Sequence, residues 1–383
     1  MTNTRDVIVV GGGVVGATAA YLSAREGLET VLIDRLDPGR ATDAGAGIIS
    51  PRTSTRHDAL FELGLRSADY YDTLLEHLAE DGGGETSYAR CGDLRVAVTE
   101  EELAPFAALV KLLDVRRDRF GPAVSAAIKE ISPDEAQALF PPLARPLRAL
   151  YDRTAARVDG RLLNQALLKA AARRGLETIH ASVDRLVLDR GRITGVNAGA
   201  HTYDAGHVVI AGGAWSPAFA AALGVPIAVA PQRGQIIHLS VSDQGTAQWP
   251  VVHAFRDHYL LAWDGGRVVA GATRETRSGF DARITAAGVH LVLGEALRVA
   301  PGLASAGLLE TRTGLRPLSE DGLPIAGPVP DIAGAYLATG HGPSGLTLGP
   351  YTARLVVDLV LGREPDFDLA PFRVDRFRPR IRA

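Results

Sequence analysis

The 383-residue sequence predicts an α/β fold in which a Rossmann-like nucleotide-binding domain is interrupted by a strand-rich α+β domain. Three observations predict it. Residues 6–34 (DVIVVGGGVVGATAAYLSAREGLETVLID) run strand, glycine turn, helix, strand, acid. Strand patterns dominate from Gly234 to Ala272. A Gly/His-rich turn followed by an apolar helix lies between Tyr336 and Gly362 and reads as part of the same site as the N-terminal turn.

The first strand, Asp6 to Val10, leads into Gly11, Gly13 and Gly16. Gly11 permits a sharp turn, Gly13 lets a pyrophosphate approach the backbone, and Gly16 lets helix and strand pack closely. The helix that follows, through Arg25, offers unpaired N–H groups and a partial positive charge to phosphates at its N-terminus. Thr30 to Ile33 form the second strand. Asp34 at its end suits a ribose 2′-OH and repels a 2′-phosphate. An adenine dinucleotide is the implied ligand, and the pattern does not separate NAD from FAD.

Further along, Asp58 to Asp81 carries helical spacing, with Leu60, Leu63, Tyr70, Leu74 and Leu78 on or near one face, and Gly82 to Gly84 stop it. Leu94, Val96 and Val98 alternate as a half-buried strand. Thr99 with Glu102, and Ser132 with Glu135, predict capping boxes, the second with Pro133 at the first helical position. Asp159 to Arg174 reads as a helix closed by Gly175. Strands follow at Thr178–His180, Val183–Leu188, Ile193–Val196 and His207–Ala211. Three more are expected at Gln235–Leu239, Tyr259–Ala262 and Val268–Ala270, with a helix over Ala286–Ala300. The order of elements implies a discontinuous nucleotide-binding domain (residues 1–80, 151–230 and 318–383). The second, substrate-binding domain then takes residues 81–150 and 231–317.

Composition is that of an ordinary globular chain, 46% hydrophobic and 22% charged. A net charge of −3 gives no reason to expect nucleic acid or an anionic membrane as partner. Cys91 is the only cysteine, which excludes an internal disulfide, cysteine-based metal sites and paired redox thiols. No metal site is expected. There is no signal peptide pattern and no apolar run of the ~18–20 residues that a membrane span needs. A cytoplasmic protein, monomer or homo-oligomer, is the expectation.

Three segments point to a particular cofactor: VVIAGGAWS (Val208 to Ser216), GLRPLSEDGLPIAGPVP (Gly314 to Pro330) and LATGHGPSGLTLGP (Leu337 to Pro350). Together with DRLDPGRATDAGAG from Asp34 onward, they resemble the FAD-dependent amino acid oxidase and dehydrogenase family, which includes glycine oxidase, D-amino acid dehydrogenase and sarcosine oxidase. The resemblance runs from Asp6 to about Phe377 and is weakest between Gly82 and Leu150. It implies that the nucleotide-binding domain binds FAD. Gly11, Gly13, Gly16 and Asp34 match the ADP-binding fingerprint, with Val14, Val15 and Arg35 beside them. Arg40, Ala41, Thr42, Ala46, Gly47 and Ile48 match the loop along the diphosphate and flavin. Val183 matches a position whose backbone faces the adenine. Ala211 and Gly212, with Trp215, match the strand-end turn beside the dinucleotide. Gly340, His341, Gly342, Gly345, Leu346 and Thr347 match the turn beside the flavin ring. A helix starting near Gly345 would aim its positive end at that turn.

The same resemblance implies oxidation of the C–N bond of a D-amino acid, glycine or an N-alkyl amino acid. Hydride passes from Cα–H to flavin N5, and water hydrolyses the imine to an oxo acid. Arg316 in the G-L-R-P segment would fork the substrate carboxylate at the flavin edge, unless it pairs with a structural acid such as Asp321. Tyr259 would donate a second hydrogen bond. Trp263 would wall the pocket, and His341 would stabilise its turn. Where glycine oxidase carries a second arginine in the C-terminal turn, this chain reads His341–Gly342–Pro343–Ser344, which puts glycine as substrate in question. No cysteine lies near Arg316, so non-covalent FAD is expected, with oxygen or a quinone left open as acceptor. Arg52, Arg56 and His57 follow the flavin loop and could reach the substrate, but read first as surface charges; Arg233 reads as a strand anchor and Cys91 as packing. The alternatives are a flavoprotein subunit that works only with partner chains, an NAD-linked dehydrogenase, and a non-catalytic binder.

Overall fold

The structure, a computed structural model, describes residues 4–56, 58–242 and 245–378. His57 lies outside the described residues. The N-terminal strand Arg5–Val10 pairs in parallel with Thr30–Ile33 on one side and with His201–Ile210 on the other. Glu177–Ile179 extends this sheet in parallel beyond Thr30–Ile33, and Ala335–Thr339 does so beyond His201–Ile210. Antiparallel Ile325–Pro328 closes that edge. Parallel strands need both faces covered, and the alternation shows it. Val7, Val9 and Leu32 pack with the helices Val14–Arg25, Asp58–Glu80, Gly160–Arg173 and Gly345–Val360. Ile8, Val10, Val31 and Ile33 pack on the other face with Leu186, Ile193 and Val196 of the hairpin Val183–Asp189 and Arg192–Ala198.

A second eight-stranded sheet is built from residues 93–152 and 229–319. Its long strands Val229–Ser240 and Gly307–Ser319 pair antiparallel, and Arg267–Gly271, Tyr259–Trp263 and Val251–His253 follow. One face, with Ile237, Leu239, Leu260 and Val268, packs against Val292, Ala296 and Val299 of the helix Ala286–Val299. The other face, with Ile236, Leu261 and Val269, meets Ala46, Ile48 and Cys91. We propose that the two large sheets are the centres of the two domains.

Two local readings change. Ser132 and Glu135 form their capping box, with Pro133 in the first turn. Thr99 and Glu102 do not. The Glu102 carboxylate accepts from the Val98 N–H at 2.7 Å and pairs with Arg298 at 3.0 Å. That turn is a single 3-10 turn, and a helix over Leu103–Phe120 begins after it. The expected strand at His207–Ala211 is the end of a longer one, His201–Ile210. Among the described residues no helix is long and apolar enough to cross a membrane.

Candidate active site

A cleft opens outside the carboxyl ends of the parallel strands, where α/β sheets place their ligands. Its floor is the glycine turn. Gly11 sits at φ +102°, and a Cβ there would press on the Ala211 backbone. Val14–Arg25 begins with Gly13 as its N-cap, without a side-chain cap from that residue. The helix end is only partly open, because Thr42 Oγ1 accepts from Val14 N–H at 3.0 Å. The N–H groups of Gly13 and Val15 have no partner among the described residues. They face the cleft with the positive end of a twelve-residue helix behind them.

Asp34, at the end of Thr30–Ile33, stands over this turn. Its Oδ2 accepts from Arg40 Nη1 at 3.0 Å. Arg40 Nη2 donates to the Gly12 carbonyl at 2.9 Å, and Asn164 Nδ2 donates to the same oxygen at 3.1 Å. Arg40 therefore ties acid, turn and loop together. The loop continues through Ala46 and Gly47 to Ile48, whose carbonyl accepts from Thr347 Oγ1 at 2.9 Å. That bond joins it to the last helix.

Gly345–Val360 starts at the far end of the cleft with no side-chain cap. Pro350 sits inside it and has no N–H to give to the carbonyl four residues back. That carbonyl, Leu346, accepts from Tyr71 Oη instead. His341 is buried in the turn before the helix. Its Nε2 lies 2.8 Å from Thr352 Oγ1, whose own proton goes to the Leu348 or Gly349 carbonyl. Thr352 therefore accepts, which puts the imidazole proton on Nε2. Burial alone pushes the His341 pKa down to about 4, so the ring is neutral at ordinary pH.

Arg316 and Tyr259 meet at the second sheet's side of the cleft. Arg316 Nη1 donates to the Thr273 carbonyl at 2.9 Å and reaches Gln232 Oε1 at 3.4 Å. It has no carboxylate partner among the described residues, and Asp321 pairs instead with Arg376 at 2.8 Å. The structural-acid alternative for Arg316 is thereby removed. Burial raises the Tyr259 pKa, opposed by the Arg316 and Arg274 charges, so its hydroxyl stays a donor. Its ring meets His253 edge-on at 6.1 Å.

Residues 6–359 match the family described as DAO, FAD dependent oxidoreductase. The chain belongs to this family. It is 39% identical over 370 residues to a protein of Bacillus subtilis (strain 168) described as an uncharacterized oxidoreductase, YurR, covering 96% of this chain and 98% of that one. It is 31% identical to the glycine oxidase of Geobacillus kaustophilus (strain HTA426), covering 98% of each chain. Among solved structures, iminodiacetate oxidase from Chelativorans sp. BNC1 superposes with a TM-score of 0.89 at 38% identity, over 96% of this chain and 98% of that one.

As a DAO family member the chain uses FAD. The residues present fit that cofactor: free N–H groups at a helix N-terminus, an acid at a strand end, and a cleft that runs on past Arg40 and Ile48 to His341 and Arg316. Of the cofactor and carboxylate residues that the family resemblance marks, all but two line this cleft: Gly11, Gly13, Val14, Val15, Asp34, Arg35, Arg40, Ala41, Thr42, Ala46, Gly47, Ile48, Val183, Ala211, Gly212, Trp215, Tyr259, Arg316, His341, Gly342, Gly345, Leu346 and Thr347; Trp263, expected as a pocket wall, does not. Gly16 and Gly340 do not. A Cβ on Gly16 would run into the Gly11 carbonyl, so its place is helix–strand contact. Gly340 turns the chain at φ +75° beneath the site.

Sequence does not single out Arg274, and reads Arg56 first as a surface charge with reach to the substrate as the alternative. Arg274 lines the cleft beside Tyr259. Arg56 is half-buried rather than a surface charge, and its Nη1 donates to Ser344 Oγ at 2.6 Å. Arg52 instead donates to the Thr154 hydroxyl at 3.0 Å and to the Ala123 carbonyl at 3.3 Å. Arg233 is the expected anchor, with Glu275 at 2.6 Å and Asp281 at 2.9 Å. Trp263 packs with Ile236 and Leu261 under the Arg157 and Arg267 guanidinia and does not line the cleft.

Proposed function

We propose that this chain oxidises the Cα–N bond of a small amino acid, either glycine, a D-amino acid or an N-alkyl amino acid. The observation that carries this reading is Arg316: a guanidinium that lines the cleft beside Tyr259 and has no carboxylate of its own among the described residues. A planar fork of this kind holds an α-carboxylate bidentately and so fixes which Cα–H is presented. Tyr259 adds a neutral O–H donor. The relatives described as glycine oxidase and iminodiacetate oxidase support the substrate class.

Bound FAD supplies the two-electron oxidant that takes hydride from Cα–H. Gly13 and Val15 N–H would hold the diphosphate, Asp34 the ribose, and the Ala41–Ile48 loop the length of the cofactor. The positive end of Gly345–Val360 would favour negative charge on the reduced ring. Neutral His341 holds the turn in place and moves no proton. Water then hydrolyses the imine to an oxo acid and the released amine. Cys91 is buried against Ile236 and Val251 and lines no part of the cleft, which supports non-covalent FAD.

The test is anaerobic mixing of the purified holoenzyme with glycine, sarcosine, iminodiacetate and the D- and L-forms of alanine. Bleaching of the oxidised-flavin band by at least one amine is expected. A flavin that dithionite reduces and no amine does would overturn the reading.

A further inference from the structure

Three arginines from distant parts of the chain converge on one end of the cleft. Arg316 and Arg274 line it, and Arg56 reaches the turn that carries Pro343 and Gly345, themselves in its wall. Their charges act on one another. Burial first, then the Arg274 and Arg56 charges, lower the proton affinity of Arg316, and Arg274 adds to burial in doing the same to Arg56. Compensation is thin. Neither Arg316 nor Arg56 has a carboxylate within ion-pair distance among the described residues. Arg274 has one, Asp257 at 3.7 Å, and that side chain is 79% exposed. The acids nearby are already used: Glu275 and Asp281 hold Arg233, and Asp93 holds Arg95 and His253. One α-carboxylate would neutralise Arg316 and leave Arg274, 38% exposed and paired only with a solvated aspartate, facing the cleft, with half-buried Arg56 behind it on the Ser344 turn. A second anionic group at this cleft end would pair with Arg274 and offset the mutual repulsion of the three guanidinia.

We infer that the substrate carries two carboxylates, the second bound by Arg274 with Arg56 supporting it from the Ser344 turn. This rests on the reading of the cleft as an amino acid oxidation site. The turn has no arginine of its own, and Arg56 brings a guanidinium to it from a different segment. A dicarboxylic amino acid fits these charges better than a monocarboxylic one of the same size. Discrimination comes from the guanidinium–carboxylate pair that forms at Arg274 only when the second carboxylate is present.

The holoenzyme is titrated with diglycolate, a dicarboxylate without an oxidisable amine, and with methoxyacetate, its monocarboxylate counterpart, by perturbation of the oxidised-flavin spectrum. Reduction by iminodiacetate is compared with sarcosine, and by D-aspartate with D-alanine. Diglycolate is expected to bind at least about tenfold more tightly than methoxyacetate. At least one dicarboxylic amine is expected to reduce the flavin at lower concentration than its monocarboxylic counterpart. The two pairs tell whether the second carboxylate sits on the nitrogen substituent or on the side chain. Arg274→Gln and Arg56→Gln should each shrink the diglycolate preference, and Arg274→Lys should retain most of it. Equal binding of the two probes by the unsubstituted enzyme, or a preference untouched by both substitutions, overturns the inference. If sarcosine bleaches the flavin and no dicarboxylic amine does, only the second-carboxylate assignment falls. If no amine bleaches it, the amino acid reading falls as well.

Discussion

The guanidinium of Arg316 lies across Gly234 on the neighbouring strand. The two are diagonal neighbours, since Gln232 pairs with Arg316 and Gly234 with Gly314, and a Cβ on Gly234 would occupy the guanidinium's own space. Tyr259 has the same relationship to Gly271, its direct partner across the next strand pair. Both proposed carboxylate donors are thus laid flat over glycines. Gly234→Ala should displace Arg316 and weaken amino acid binding by about tenfold or more, the order of one charge-assisted hydrogen bond, while FAD remains bound. Rapid-mixing titration of flavin reduction measures it. An unchanged half-saturating concentration would show that Arg316 does not hold the substrate from this position.

Arg316 itself gives a sharper test. Arg316→Lys keeps the charge and loses the fork, and Arg316→Ala loses both. The alanine variant should lose roughly 10- to 150-fold in second-order flavin reduction by carboxylate-bearing amines, from about 1.5–3 kcal/mol. Lysine should recover only part of it. Both variants should keep their flavin, read from absorbance after gel filtration. Normal reduction by the alanine variant would remove Arg316 from the site.

Arg40 should act on the cofactor rather than the substrate. It bridges Asp34 Oδ2 and the Gly12 carbonyl with Nη1 and Nη2, and its side chain is largely buried (16% exposed). Arg40→Gln leaves Asp34 free to turn away from its place at the strand end. FAD affinity of the apoprotein, followed by flavin fluorescence quenching, should fall by about tenfold, the order of the one charge-assisted hydrogen bond that a displaced Asp34 would no longer accept. Substrate half-saturation in the reconstituted enzyme should change much less than it does in Gly234→Ala.

The glycine turn, Asp34, the Ala41–Ile48 loop and the Gly345 helix were legible because each is a local pattern with one structural meaning. Arg274 and Arg56 were not. They stand 218 residues apart in sequence, and only the packing of the second sheet over the Ile48 loop brings them to one cleft end. Nothing local distinguishes either from a surface arginine. The strand Gly307–Ser319 was obscured for another reason: Leu308 and Leu309 both face solvent, at 62% and 55% exposure, so the alternation that announces a strand is missing there. Helix Leu103–Phe120 buries only Phe106, Leu109, Leu113 and Arg116, a narrow stripe whose last member is charged.

His341 predicts how stability depends on pH. Its pKa is about 4 in the folded chain, through burial, against the ordinary 6.5 when unfolded. Between these values the unfolded chain holds the extra proton, so stability rises with pH across that window. The contribution is fully present above about 6.5 and is lost as pH falls toward 4. One such group gives a slope of up to about 1.4 kcal/mol per pH unit. His238, also buried and pushed down to about 4 by burial and the Arg312 charge, acts in the same direction. Replacing His341 should therefore flatten the acid side of the curve without abolishing its slope. Gln at this position can still donate to Thr352 Oγ1 and does not titrate. Denaturant unfolding of wild type and His341→Gln at pH 7, 6 and 5 is the measurement. The loss between pH 7 and 5 should be smaller in the variant by an amount on the order of 1 kcal/mol. Identical losses would mean that the ring takes up its proton as readily in the fold as out of it, and would break the link drawn between its burial and its neutrality beside the flavin turn.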